Sequence, residues 1–157
     1  MPRKKYNDNK RLPRDQYDPV KIFNTANSFY SAAERCNEMR YKNENVFEWL
    51  PIPSAVNMAL ACELYMKAII VSEKNTFGNM HNLDDLYQTL SGNTQATIQK
   101  ELKYDKSGFH SALERVADLF VEGRYIHEYE SMIIHIEFLQ KFTNILKEIA
   151  YEQITHS

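Results

Sequence analysis

Val56-Asn57-Met58-Ala59-Leu60-Ala61-Cys62-Glu63-Leu64-Tyr65-Met66-Lys67-Ala68-Ile69-Ile70 is the stretch on which the fold turns. Apolar residues occupy most of its positions, so helical winding leaves almost no polar face, and a helix apolar nearly all round belongs at the centre of a bundle. The two charges, Glu63 and Lys67, stand four residues apart with the acid first, the order that favours an ion pair across one helical turn. Among apolar neighbours an unpaired charge would be costly, so the pair is expected in a polar seam of the core. This pattern predicts a helix over about 53–74 as the most buried element, with Leu60 and Leu64 on its core stripe.

Upstream, Asp18-Pro19 offers a cap followed by a first-turn proline. Phe23, Ala26, Tyr30, Ala33 and Asn37 then recur at three- and four-residue spacing, and Ile22, Phe29 and Cys36 widen the stripe, which predicts a helix over 19–42. Trp49-Leu50-Pro51-Ile52-Pro53 reads as an apolar loop against the core, because prolines lack a donor and push their predecessors extended. Downstream of Gly78, short helices are expected over about 82–90 and 94–103, separated by Ser91-Gly92-Asn93. Phe109, Leu113, Val116, Ala117, Phe120 and Val121 form a further amphipathic element ended by Gly123. A last helix over about 129–154 carries Met132, Ile133, Ile136, Leu139, Phe142, Ile145, Leu146 and Ile149. No segment alternates like a bounded strand. The expected fold is all-α, a four-long-helix up-down bundle with one or two short inserted helices, forming a single domain over 19–155.

Length and composition agree with one domain, since 157 residues at 43% hydrophobic suffice for a single core. No uninterrupted run approaches the roughly 18 apolar residues of a membrane span, so a cytoplasmic protein with no membrane partner is expected. The formal charge of −2 hides a division: residues 1–18 hold six basic side chains against three acidic ones, a net of +3, which leaves −5 on the remainder. That first segment has little aliphatic content and two prolines, and reads as a mobile, solvated basic tail rather than a dedicated nucleic-acid arm. Cys36 and Cys62 fall on apolar helix positions as buried thiols. Glycines at 78, 92, 108 and 123 leave no Gly-rich phosphate loop, and no metal-ligand spacing occurs, so neither cofactor nor metal is expected.

Three groups of residues carry candidate chemistry. Glu63 and Lys67 are the first. His81 is the second; it precedes Asn82-Leu83-Asp84-Asp85 at a helix start, where either the imidazole or the Asn82 amide oxygen can cap free N–H groups. The third is Arg124, Tyr125, His127 and Glu128. If this segment is helical, residues 124, 127 and 128 share a face, joining a fixed cation, an imidazole and a carboxylate. Cleavage of RNA at the 2′-hydroxyl needs such parts, a base for the proton and a cation for the charged transition state.

The order of these pieces, an apolar Glu63-Leu64-Tyr65-Met66-Lys67-Ala68-Ile69-Ile70 helix, a His81-Asn82-Leu83 helix start and a late Phe120-Val121-Glu122-Gly123-Arg124-Tyr125-Ile126-His127-Glu128 segment, resembles the HEPN superfamily of small helical bundles. The resemblance spans about Pro53 to Glu130. The superfamily includes RNase toxins, modules paired with small nucleotidyltransferases, and members without known chemistry. In its ribonucleases an Arg is followed by four to six residues and then a His. Here two residues separate Arg124 from His127, ten separate Arg124 from His135 and eleven separate Arg115 from His127, so no pair has that spacing. The resemblance therefore implies a binding module acting on RNA, a nucleotide or a partner protein in a prokaryotic toxin–antitoxin or phage-defence unit. It also implies a homodimer and a cognate nucleotidyltransferase-type or other protein partner. The expected binding residues are Glu63, Lys67, His81, Arg124, Tyr125, His127 and Glu128. The alternatives are a metal-independent RNA endonuclease with Arg124 and His127 as catalytic residues, and a purely structural oligomerisation subunit.

Overall fold

The computed structural model describes residues 11–117, 119, 123–128 and 135–156, with the side chains of Arg124 and Ile126 outside the description. The protein is mostly helical, with one two-stranded sheet. Helix α1 spans Pro19–Asn37, and the Asp18 carboxylate accepts from the backbone N–H of Val20 to cap it. Strands β1, Arg40–Asn43, and β2, Val46–Glu48, form an antiparallel hairpin. Then follow α2 (Pro51–Ser72), α3 (Leu83–Thr89), α4 (Gly92–Leu102), α5 (Lys106–Glu114) and α6 (Ile136–Thr155).

The hairpin corrects two expectations, that α1 would run to residue 42 and that strands would be absent. Tyr41 stands opposite Phe47 with their rings edge to face, Lys42 pairs with Glu48, and the Asn43 side chain accepts from the N–H of Asn45 to tighten the turn. Aromatic and β-branched residues favour this pleat. Almost every residue of both strands is exposed, so no alternation of buried and exposed positions marks them.

The expected apolar loop at 49–53 is also revised. Pro51 is the first residue of α2, and Pro53 stays within its first turn, where a missing N–H has no intrahelical partner to lose. Trp49 and Leu50 remain 46% and 41% exposed and do not line the core. Helix α5 ends at Glu114 in a turn over 115–117; of the rest of the expected apolar element Leu119 is again helical, residues 118 and 120–122 lie outside the described residues, and a 3₁₀ segment spans Gly123–Glu128. Of the expected last helix, residues 129–134 lie outside the described residues, and α6 covers the rest.

Helix α2 is the centre of the fold, as its composition requires. It packs against α1 on one side and α6 on another, with α3 and the 3₁₀ segment nearby. Met66, Ile69 and Ile70 are fully buried. Leu60 and Leu64 are only partly buried, because the helices around α2 do not cover it evenly. By length and composition α2 could cross a membrane, but most of its apolar surface is buried inside the protein. Polar bonds fix the register of the three long helices: Ser54 Oγ donates to the Ala33 carbonyl at 2.8 Å, Tyr65 to Asn27 at 2.6 Å, and Tyr30 to Asn144 at 2.7 Å. At the other end Tyr87, Phe109, Phe138 and Phe142 interlock as a buried aromatic cluster joining α3, α5 and α6.

Gly123 shows how closely the 3₁₀ segment approaches α2, since a Cβ there would collide with Val56 Cγ2. At the opposite end of the chain, residues 1–10 of the expected tail lie outside the described residues. From Arg11 onward the chain follows the protein surface: Arg14–Gln16 form a 3₁₀ turn, Arg14 donates to Asn79 Oδ1 at 2.6 Å, and the Tyr17 ring stacks on Phe77 at 5.6 Å.

Candidate functional site

Glu63 and Lys67 form the ion pair that their spacing predicts, Lys67 Nζ lying 2.6 Å from Glu63 Oε1. The whole residues are only 4% and 7% exposed, so both charges have left bulk water and depend on each other. His81 completes the cluster. Asn82, not His81, caps α3, accepting from the N–H groups of Asp84 and Asp85. This leaves the imidazole to lie across α2, with Nδ1 2.9 Å from the same Glu63 oxygen and 3.5 Å from Lys67 Nζ. An ammonium cannot accept, and the carboxylate can only accept when ionised, so Nδ1 carries the proton and donates to Glu63. The His81 side chain keeps 63% of its surface in water, whereas that of Glu63 keeps 5%. The cluster thus runs from the core to the surface.

One atom in it is unsatisfied. Glu63 Oε2 is buried and accepts no hydrogen bond among the described residues, although a buried carboxylate oxygen without a donor is costly. Lys67 also sits 4.9 Å over the centre of the Phe77 ring. Both Lys67 and His81 line an open cavity of about 380 Å³. Its walls are Arg11, Leu12, Tyr17, Asp18, Lys21 and Ile22 from the N-terminal side, Leu64 from α2, and Phe77, Gly78 and Asn79 from the loop before α3. Gly78 has φ +56°, which lets that loop turn beside the Arg14 guanidinium.

Next along α2, burial pushes the Cys62 thiol far above its ordinary range, the nearby Glu63 charge adds to this, and a hydrogen bond with Thr143 only partly offsets it. A thiol so held stays protonated and is no nucleophile.

The late cluster is arranged differently. Tyr125, His127 and Glu128 lie in the 3₁₀ segment, which breaks at Tyr125 with φ −114° and ψ 23°. The α-helical face imagined for residues 124, 127 and 128 is therefore not formed. His127 Nε2 and Glu128 Oε1 are 4.0 Å apart, and both side chains are mostly in water. The Tyr125 ring is 45% exposed and lies 6.5 Å from the His127 ring. Arg124 belongs to this segment, and its side chain lies outside the described residues. The structure joins the buried Glu63 and Lys67 to the exposed His81 in one contact; Tyr125, His127 and Glu128 form a separate exposed strip. No group of metal-binding residues occurs among the described residues.

Arg11, Tyr17, Lys21, Phe77 and Asn79 were not singled out from the sequence. They come from two segments about sixty positions apart that meet only in the fold, and no local spacing links them. No family model matches the chain, and neither a curated protein nor a solved structure does.

Proposed function

We propose that this chain is a HEPN-like helical module that binds RNA or a nucleotide without cutting it. In this reading α1, α2 and α6 are long members of an up-down bundle and α5 opens the remaining arm. The observation that carries the reading is the buried Glu63–Lys67 pair, reached through the exposed His81, at a basic-rimmed cavity on a body that is otherwise negative. Buried charge with an unsatisfied oxygen is costly to a fold, and a binding role at the cavity accounts for keeping it. Arg11, Lys21 and Lys67 give the opening a locally positive lining, which suits a phosphate-bearing ligand better than an acidic or apolar protein surface.

Catalysis fits the geometry poorly. His127 and Glu128 are mostly in water, and among the described residues nothing encloses them in the kind of water-excluding pocket in which a transition state is stabilised. A homodimer in a prokaryotic defence or toxin–antitoxin unit, with a nucleotidyltransferase-type partner, completes the proposal on the strength of the HEPN resemblance.

The test uses a 5′-labelled single-stranded RNA in EDTA, read by fluorescence anisotropy for binding and on a denaturing gel for integrity. The expected result is salt-sensitive binding with the strand intact. Cleavage that disappears in both Arg124→Ala and His127→Ala would instead establish the ribonuclease, and intact RNA with no binding would remove RNA as the ligand.

A further inference from the structure

The cavity beside Lys67 combines three properties that together select a ligand class. Its positive lining comes from three directions: Arg11 from the N-terminal segment, Lys21 from the first turn of α1, and Lys67 from the middle of α2. Two carboxylates offset them: Glu63, paired with Lys67 at 2.6 Å, and Asp18, one of whose oxygens is already engaged in capping α1, so Arg11 and Lys21 are the cations that Glu63 does not hold. The second property is an apolar and aromatic wall of Tyr17, Ile22, Leu64 and Phe77, in which the half-buried Tyr17 ring lies on Phe77 with 21° between the ring planes. The third is size, since about 380 Å³ admits a single small organic molecule and not a folded segment of polymer.

A bare inorganic anion would leave the apolar wall unused, and a purely apolar ligand would strip water from the exposed Arg11 and Lys21 without pairing them. A molecule with a phosphate at one end and a flat ring at the other satisfies both walls. Aromatic faces accept any base by stacking, and Lys and Arg side chains pair with phosphate oxygens by charge-assisted hydrogen bonds.

We infer that this cavity holds one nucleoside monophosphate unit, its phosphate against Lys67, Lys21 and Arg11 and its base on the Tyr17 side. The inference rests on the nucleotide-binding reading above and gives it a site. It also accounts for Lys67 being buried at the cavity wall: pairing with Glu63 holds the ammonium in place before the ligand arrives, so little side-chain freedom remains to be lost on binding. The same chemistry is presented by a free nucleotide and by the terminal residue of an RNA strand.

The test is isothermal titration of the full chain with AMP, with adenosine and inorganic phosphate as its separated halves, and with a short RNA bearing or lacking a 5′-phosphate. AMP is expected to bind, and each half to bind roughly tenfold or more weakly. Lys21→Glu lies on the exposed rim and leaves the fold intact by circular dichroism; it is expected to weaken AMP about tenfold by reversing a charge. The paired replacement Glu63→Gln with Lys67→Met, which removes both buried charges together, is expected to abolish binding in a protein that still melts cooperatively. If only the 5′-phosphorylated RNA competes with AMP, the ligand is a strand end; if neither RNA competes, it is the free nucleotide. AMP binding no tighter than phosphate or adenosine, or unchanged in Lys21→Glu, would overturn the assignment. Loss of AMP binding with RNA binding retained sinks this site alone, whereas AMP binding without RNA binding keeps the site and removes RNA from the proposed function.

Discussion

Replacing Lys67 by Met keeps the length of the side chain and removes its charge. Glu63 is then left as a carboxylate at 5% side-chain exposure with one certain donor, His81 Nδ1 at 2.9 Å, and with Oε2 still unsatisfied. Removing one partner of a buried ion pair costs about 3–5 kcal/mol. The remaining His81 contact and its path to water place this case near the lower end, at about 3 kcal/mol. With a urea slope of about 2 kcal/mol per molar for a chain of this size, the unfolding midpoint falls by about 1.5 M. Replacing both residues, Glu63→Gln with Lys67→Met, removes the stranded charge and is expected to recover most of the loss, to within about 1 kcal/mol of the natural protein. Circular dichroism at 222 nm through a urea titration measures all three proteins. A midpoint for Lys67→Met within about 0.3 M of the natural protein, or a double variant no more stable than the single one, would refute the claim that these charges are buried and mutually dependent.

Gly123→Ala forces a methyl group against Val56, so a loss of about 1–3 kcal/mol is expected in the same titration, typical of overpacking. Truncating Ile69, which is fully buried, is expected to cost about 2–5 kcal/mol, and truncating the half-buried Leu60 clearly less; thermal melts of the two variants give the ranking. Because burial holds the Cys62 thiol protonated, a thiol reagent at mildly alkaline pH should titrate the half-buried Cys36 alone in native protein and both cysteines in urea. Light scattering at tens of micromolar should give twice the chain mass if the proposed dimer forms, and a monomer would remove that part of the proposal.

What the sequence discloses depends on whether the signal is local. The centrality of α2 and the Glu63–Lys67 pair are both legible, because they follow from periodicity within one helix. Asp18 is legible as a cap from its own residue type before a first-turn proline, whereas the start of α3 left His81 and Asn82 both open and the fold selects Asn82. The hairpin at Arg40–Glu48 is not, because a two-stranded ribbon exposed on both faces leaves no buried alternation to detect. The helical start at Pro51 was missed for a different reason: two prolines read as a break, yet at a first turn they are compatible with the helix. In the candidate site, His81 has no spacing relation to Glu63, and only the loop between α2 and α3 brings the two together. The rest of the cavity comes from residues 11–22 folding over that same loop, a long-range contact invisible to any window of sequence. Conversely, grouping residues 124, 127 and 128 assumed α-helical geometry, and the 3₁₀ segment with its break at Tyr125 does not provide it.

The central claim is that ligand binds at the Glu63–Lys67–His81 cluster and not at the exposed 125–128 strip. Backbone amide chemical shifts of isotopically labelled protein, followed while AMP and then a 5′-phosphorylated single-stranded RNA are added, test it directly. The account predicts saturable shifts concentrated at Tyr17, Lys21, Lys67, Gly78, Asn79 and His81, with Tyr125, His127 and Glu128 nearly unmoved. Shifts confined to residues 125–128, with the cavity residues silent, would contradict it.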